Sequence, residues 1–209
     1  MSIFCIGRNY VEHAHELGNE VPTSAIIFMK PDTAILPKGE NFSIPSFTND
    51  LHFEGELVLR VSKKGKNLTA IHPNGIPVIE YCDAITVGID FTARDLQNKL
   101  KEKGLPWEKA KAFDNAAILG EWRPLTPQIL SGPIHYTLSQ NGNTVQRGDS
   151  SLMIFSLEKI LAGITEYFTI YPGDLIYTGT PAGVGPTAKG DEFEGFFEGE
   201  SVFSLKVKP

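Results

Sequence analysis

Apolar and polar positions along this chain predict more strands than helices. Ile3 to Ile6 and Ala25 to Met29 are short, wholly apolar runs of the kind buried strands show, and the second is closed by Lys30-Pro31. Between them Tyr10, Ala14 and Leu17 recur at helical spacing over Asn9 to Leu17, with Gly18 as the stop. Asp32 to Asp50 has little periodicity and predicts loop with short strand. A longer strand runs from about His52 to Val61 and ends at Lys63-Lys64-Gly65, and Ala84 to Phe91 predicts another. A helix over Thr92 to Lys103 follows, ended by Gly104 and Pro106. Ile134 to Ser139 and Thr144 to Arg147 flank Asn141-Gly142, a hairpin signal. Leu157, Ile160, Leu161, Ile164 and Phe168 mark one amphipathic helix with Ser156 as its N-cap. The tail sets Val202, Phe203, Leu205 and Val207 against Ser204, Lys206 and Lys208. The whole pattern predicts an α+β, mainly β architecture with about three helices.

Composition narrows the function more than the fold. The 209 residues are the size of one domain, and such a chain buries roughly 70% of its unfolded surface without a disulfide or zinc staple. Glycine and proline, 20 and 14 in number, are about one residue in six and favour many turns. A formal net charge of −6 argues against a nucleic-acid partner, whose phosphates call for Lys and Arg. Cys5 and Cys82 lie in apolar surroundings with no C-x-x-C spacing, which predicts buried thiols rather than zinc or redox chemistry. No apolar run is long enough to span a membrane, and no basic leader precedes Ile3. A soluble, cytoplasmic protein with no membrane partner is expected.

The informative residues are acids where acids are costly. In a strand over His52 to Leu59, Glu54 and Glu56 share one face about 7 Å apart, with Phe53, Leu57 and Leu59 on the other. Adjacent like charges repel unless a cation sits between them, and an all-oxygen ligand set suits Mg²⁺ first, then Mn²⁺ or Ca²⁺. A solvent-exposed acidic face is the alternative. Asp90 stands near the end of the apolar run Ile85 to Phe91, as a third ligand or as a cap on the following helix. Arg94 and Gln97 follow on one helical face, and Lys111 sits in Ala110-Lys111-Ala112-Phe113; these cations could offset the acids. His13 and Glu16, three apart on the first helix, could form a carboxylate-oriented base, although His15 competes for the role. Gly173 to Pro186 predicts a strand running into a Thr/Gly turn, either able to face an anion or purely structural, without the Gly-Lys-Ser/Thr of a phosphate loop.

Together these segments resemble the fumarylacetoacetate hydrolase superfamily, in its short acylpyruvase/oxaloacetate decarboxylase-like branch. The matching motifs are Gly7-Arg8-Asn9-Tyr10 with His13, Glu54-x-Glu56, Asp90-Phe91-Thr92-Ala93-Arg94-Asp95 with Gln97, and Gly104-Leu105-Pro106-Trp107. Lys111-Ala112-Phe113, Ser151 to Phe155 and Thr178-Gly179-Thr180-Pro181 complete the set. The resemblance implies a mixed β-sandwich roll of the C-terminal-domain type, one catalytic domain over residues 1–209, usually a homodimer. It implies one Mg²⁺ or Mn²⁺ on Glu54, Glu56 and Asp90. His13 and Glu16 match a water-activating dyad on a mobile lid, Lys111 an oxyanion-stabilising lysine, and Arg94, Gln97 and Thr180 substrate contacts. Arg8 matches a position near the substrate. The implied activity is metal-dependent hydrolysis of the C–C bond of a small 2-oxo acid, an acylpyruvate, to pyruvate and a carboxylic acid. The alternatives are oxaloacetate decarboxylation, or isomerisation or hydration of a related 2-oxo dioic acid. Leu17 to Pro22 and Asp114 to Trp122 follow no family pattern and are the segments expected to set substrate choice.

Overall fold

Three sheets make up most of the computed structural model, which describes residues 1–209. The largest has seven strands. Six follow the order Ile26–Lys30, Ile3–Gly7, Leu175–Tyr177, Gly55–Val61, Cys82–Asp90 and Ala117–Leu119, and Arg123–Pro124 also pairs with Cys82–Asp90. Ile3–Gly7 and Leu175–Tyr177 run parallel and the other pairs antiparallel, so the sheet is mixed. A four-stranded antiparallel sheet takes Asn143–Asp149, His135–Gln140, Glu192–Phe197 and Glu200–Lys206 in that order. The third is small, with Leu51–Phe53 between Gly185–Pro186 and Thr92–Ala93. The architecture is α+β and mostly β, as the pattern predicts. No helix is long and apolar enough to cross a membrane.

Strand alternation explains the layers. Phe4, Ile6, Leu57, Leu59, Ile85 and Val87 enter the main core, against the helix Leu157–Tyr167 and against Tyr136, Phe197 and Val202. Their neighbours Ile3, Cys5, Val58, Leu175 and Tyr177 pack on the opposite face. A third core joins Leu51, Phe53, Ile89 and Phe91 to Leu138, Phe193 and Leu205. The central strands are therefore apolar on both faces for most of their length. Glu56 and Asp90 share the face of Val58 and break that rule where the second core ends.

Local signals placed several elements well. Asn141 and Gly142 adopt φ of 53° and 78°, the left-handed pair of a tight hairpin. The Ser156 hydroxyl accepts from Lys159 N and caps Leu157–Tyr167. The first helix is shorter than predicted, Val11–Glu16, and the helix predicted from Thr92 covers Arg94–Glu102, because Thr92–Ala93 joins the small sheet. Four single-turn helices add to the three longer ones. One expectation is corrected: His52 to Val61 is not a continuous strand but stops at Phe53 and resumes at Gly55. Phe53 accordingly lies in a different core from Leu57 and Leu59.

Candidate active site

The break at Glu54 is built by partners from elsewhere. Asp90 N donates to Glu54 O at 2.8 Å, carrying the pairing across the gap, while Gly55 N donates to Gln146 Oε1 at 2.7 Å. Gln146 Nε2 in turn donates to Thr180 Oγ1 and Pro181 O, so one buried amide ties the interrupted strand to the Thr178–Pro181 turn. Gly179 allows that turn: its φ is +99°, and a Cβ there would stand 2.5 Å from Asn9 Cβ. With this geometry Gly179 N donates to Glu56 Oε2 at 2.7 Å.

The outcome is a buried cluster of Glu54, Glu56 and Asp90 with one oxygen of each within 4.8 Å of the others. Three cations surround it. Lys111 Nζ donates to Glu54 Oε2 and Asp90 Oδ2, both at 2.7 Å, and Arg94 donates to Glu54 Oε1. Lys30, fully buried, donates to the carbonyls of Lys111 and Ala116. Its Nζ also lies 2.7 Å from Asp90 Oδ1, but at an angle that makes no hydrogen bond, so that oxygen has no donor. Burial opposes ionisation of Glu54, and Lys111 and Arg94 outweigh it, holding the carboxyl well below its usual range. Glu56 has no cation of its own. Burial, then Asp90 and Glu54, push it well above the usual range. Burial would discharge Lys111, but Asp90 and Glu54 keep it charged with a raised pKa.

The residues fit a divalent cation. Three buried carboxylates converge, one of them lacks a compensating charge and another has a donorless oxygen, and the donor set is all oxygen, as Mg²⁺ or Mn²⁺ prefers.

His13 and Glu16 meet as their spacing predicts, with Nδ1 to Oε2 at 3.3 Å, and Glu16 Oε1 accepts from Gly183 N at 3.0 Å. That second bond fastens the first helix to the turn beyond Pro181. His13 is 3% exposed, and burial lowers its pKa against the opposing pull of Glu54 and Glu16, which keeps the imidazole neutral near pH 7. Gln97 Oε1 accepts from Arg94 at 2.7 Å, so its NH₂ is free to donate. Thr180 lines the crevice, but its hydroxyl donates to Gly55 O at 2.9 Å and accepts from Gln146, which leaves little to offer a substrate beyond a lone pair.

Nine of the ten residues marked in the sequence line one narrow crevice, and Glu16 stands behind His13. Its empty volume, counting the space open to solvent, is about 380 Å³. Leu17 and Asn19, from the Leu17 to Pro22 segment, line it. Asp114 to Trp122 contributes no wall. It supplies the edge strand Ala117–Leu119 and borders a separate groove, which corrects the expectation that it sets substrate choice.

Sequence reasoning missed Lys30 and Lys101 as site residues, and it named Trp107 in a motif without giving it a role. Lys30 ends an apolar run, Ala25 to Met29, which is half-buried rather than the buried strand its composition predicts, although Lys30 itself is buried. Lys101 falls on the face of Arg94 and Gln97, one further turn along.

The chain is similar to known proteins over nearly its whole length. The family described as "Fumarylacetoacetate (FAA) hydrolase C-terminal" matches residues 2–206. A mitochondrial oxaloacetate tautomerase of Bos taurus is 34% identical over 207 residues, covering 99% of this chain and 90% of that protein. An oxaloacetate tautomerase of Escherichia coli is 37% identical over 202 residues, covering 96% and 90%. Among solved structures, a fumarylpyruvate hydrolase of Pseudomonas aeruginosa in complex with Mn²⁺ and pyruvate superposes with a TM-score of 0.90 at 32% identity, over 100% of this chain and 89% of that one.

Proposed function

The chain belongs to the fumarylacetoacetate hydrolase family, and from that membership we propose that it is a divalent-metal-dependent enzyme moving a proton at C3 of a 2-oxo acid. Keto–enol tautomerisation is the leading reading. Hydrolysis of an acylpyruvate, the activity placed first by the sequence, becomes the second. The observation that carries the proposal is His13, a buried neutral base oriented by Glu16 in the same crevice as three carboxylates and Lys111. A base of this kind is needed for tautomerisation and for hydrolysis, but not for decarboxylation alone. The two tautomerases named above support the first activity. The Pseudomonas hydrolase supports the second.

Glu54, Glu56 and Asp90 would hold Mg²⁺ or Mn²⁺, which when bound polarises the 2-keto oxygen and eases loss of the C3 proton. Glu16 Oε2 accepts the Nδ1–H of His13, so Nε2 is bare. The C3–H bond breaks with its proton going to Nε2, and return of that proton to the former keto oxygen completes the enol. Lys111 spends two of its three N–H groups on Glu54 and Asp90 and keeps one for the oxygen where charge develops. Gln97 offers its NH₂ to the bound acid. In hydrolysis the same His13 deprotonates water instead. A single catalytic domain over 1–209 and a homodimer belong to this reading.

The test follows the absorbance of enol-oxaloacetate, and pyruvate release from fumarylpyruvate and acetylpyruvate, with Mg²⁺ and with EDTA. Metal-dependent ketonisation without pyruvate from the acylpyruvates supports the leading reading, and rapid pyruvate release moves hydrolysis to first place. No metal-dependent change in any of the three overturns the proposal.

A further inference from the structure

The carboxylate end of the crevice is balanced from within, since Glu54 and Asp90 are paired with Arg94, Lys111 and Lys30. The mouth is not. Arg8 Cζ lies 5.9 Å and Lys101 Nζ 5.4 Å from the centroid of the Trp107 ring, so one indole carries two cations. Neither cation forms an ion pair with any acid of the chain. All three side chains are partly buried and line the crevice beside Arg94 and Gln97.

Each is placed by its local structure. Arg8 follows the first strand in left-handed backbone, with φ of 58°, uncommon for a residue with a side chain. Lys101 is presented by the helix Arg94–Glu102 one turn beyond Gln97. Trp107 follows the turn after that helix. The ring attracts each cation and holds the heads in place without neutralising them. Two like charges in a partly desolvated mouth repel, and an anion is what relieves that repulsion.

We propose that Arg8 and Lys101, gathered over Trp107, form a second anion subsite that takes the distal carboxylate of a 2-oxo dicarboxylate and selects it over the corresponding monoacid. The proposal rests on the 2-oxo acid reading above. It assigns the oxo-acid head to the carboxylate end and the far carboxylate to the mouth. The arginine supplies a planar fork suited to two carboxylate oxygens, and the lysine a point charge. The depressed pKa of Lys101, about 8 through burial and then through Arg8 and Arg94, accords with a cation awaiting its counter-ion.

The test measures calorimetric affinity of the Mg²⁺-loaded protein for two pairs that differ only in the far carboxylate: 2-oxopentanoate with 2-oxopentanedioate, and 2-oxohexanoate with 2-oxohexanedioate. The diacid of at least one pair should bind more tightly. Arg8→Ala and Lys101→Met should each weaken that diacid by roughly ten- to a hundredfold, the worth of a charge-assisted hydrogen bond, while the monoacid moves by less than about threefold on the same scale. The monoacid also reports that each variant is folded. Equal binding of monoacid and diacid in both pairs, or equal weakening of both by the variants, overturns the second subsite and leaves the 2-oxo acid reading intact. Binding of none of the four ligands overturns both.

Discussion

The two ends of the crevice solve opposite electrostatic problems. At the inner end, Glu54, in the break before Gly55–Val61, and Asp90, at the end of Cys82–Asp90, are met by buried cations from three other segments, and of the three acids Glu56 alone has none. At the mouth, Arg8 and Lys101 come from a turn and a helix, sit half in solvent, and face no acid. Charges deep in the protein must be compensated by the fold itself, because an isolated buried ion costs several kcal/mol. Charges at a mouth can be left for the ligand to compensate. The inner end is therefore where substitutions should damage both folding and chemistry, and the mouth where they should alter selectivity alone.

The strongest way to break that contrast is to remove an inner acid. Glu54→Ala or Asp90→Ala should abolish divalent-cation binding and, by leaving the buried Lys111 short of one counter-charge, cost ~3–5 kcal/mol of stability. Calorimetry with Mn²⁺ and denaturant unfolding check both parts, and unchanged Mn²⁺ affinity in either variant would remove the metal site. His13→Ala comes next. It should slow turnover by roughly 10²–10⁴-fold with Mn²⁺ affinity preserved, because its imidazole bonds to Glu16 and not to the three carboxylates. A wild-type rate in that variant would show that another group moves the proton.

Lys111→Met sharpens the picture of the inner end, since its ammonium now competes for the oxygens a metal needs. Turnover should fall about 10²–10³-fold, by analogy with loss of an oxyanion-hole donor. Divalent affinity should rise, because a positive charge 2.7 Å from both Glu54 and Asp90 is gone. Weaker Mn²⁺ binding in Lys111→Met would mean that the lysine organises the carboxylates more than it opposes the ion.

What the sequence made legible follows the same division. Glu54, Glu56 and Asp90 stand out because acids in apolar strands carry a large desolvation cost, and that cost is visible residue by residue. Asn141-Gly142 and the Ser156 cap are likewise local signals. The break at Glu54 is not local: it depends on Gln146, ninety-one residues away, taking Gly55 N in place of a strand partner. Lys30 reads as the polar end of a strand until its carbonyl partners, on a segment eighty residues later, are in place. Lys101 and Trp107 need the turn at Gly104-Leu105-Pro106 to fold back before their rings and charges meet.

The smallest expected effect is the most selective, and it concerns pH at the mouth. Lys101 is drawn down to about 8, first by burial and then by Arg8 and Arg94; Glu54 pulls the other way and Lys111 adds to the depression. In the free protein it therefore loses its charge as pH rises through about 8. A bound distal carboxylate favours the charged form, so linkage requires diacid affinity to weaken across that window, by at most about tenfold per pH unit for one proton. A monoacid, which leaves Lys101 untouched, should show no such slope. His13 does not confuse the result, because burial lowers its pKa from the ordinary histidine value, away from this window. The ratio of monoacid to diacid dissociation constants should thus fall several-fold between pH 7 and 9. Lys101→Met should abolish that fall, while Arg8→Ala keeps it and shifts its midpoint upward, since one neighbouring charge is gone. A flat ratio in the wild-type protein, or the same slope in Lys101→Met, would place the distal carboxylate away from Lys101 and leave Arg8 as the mouth's sole anion contact.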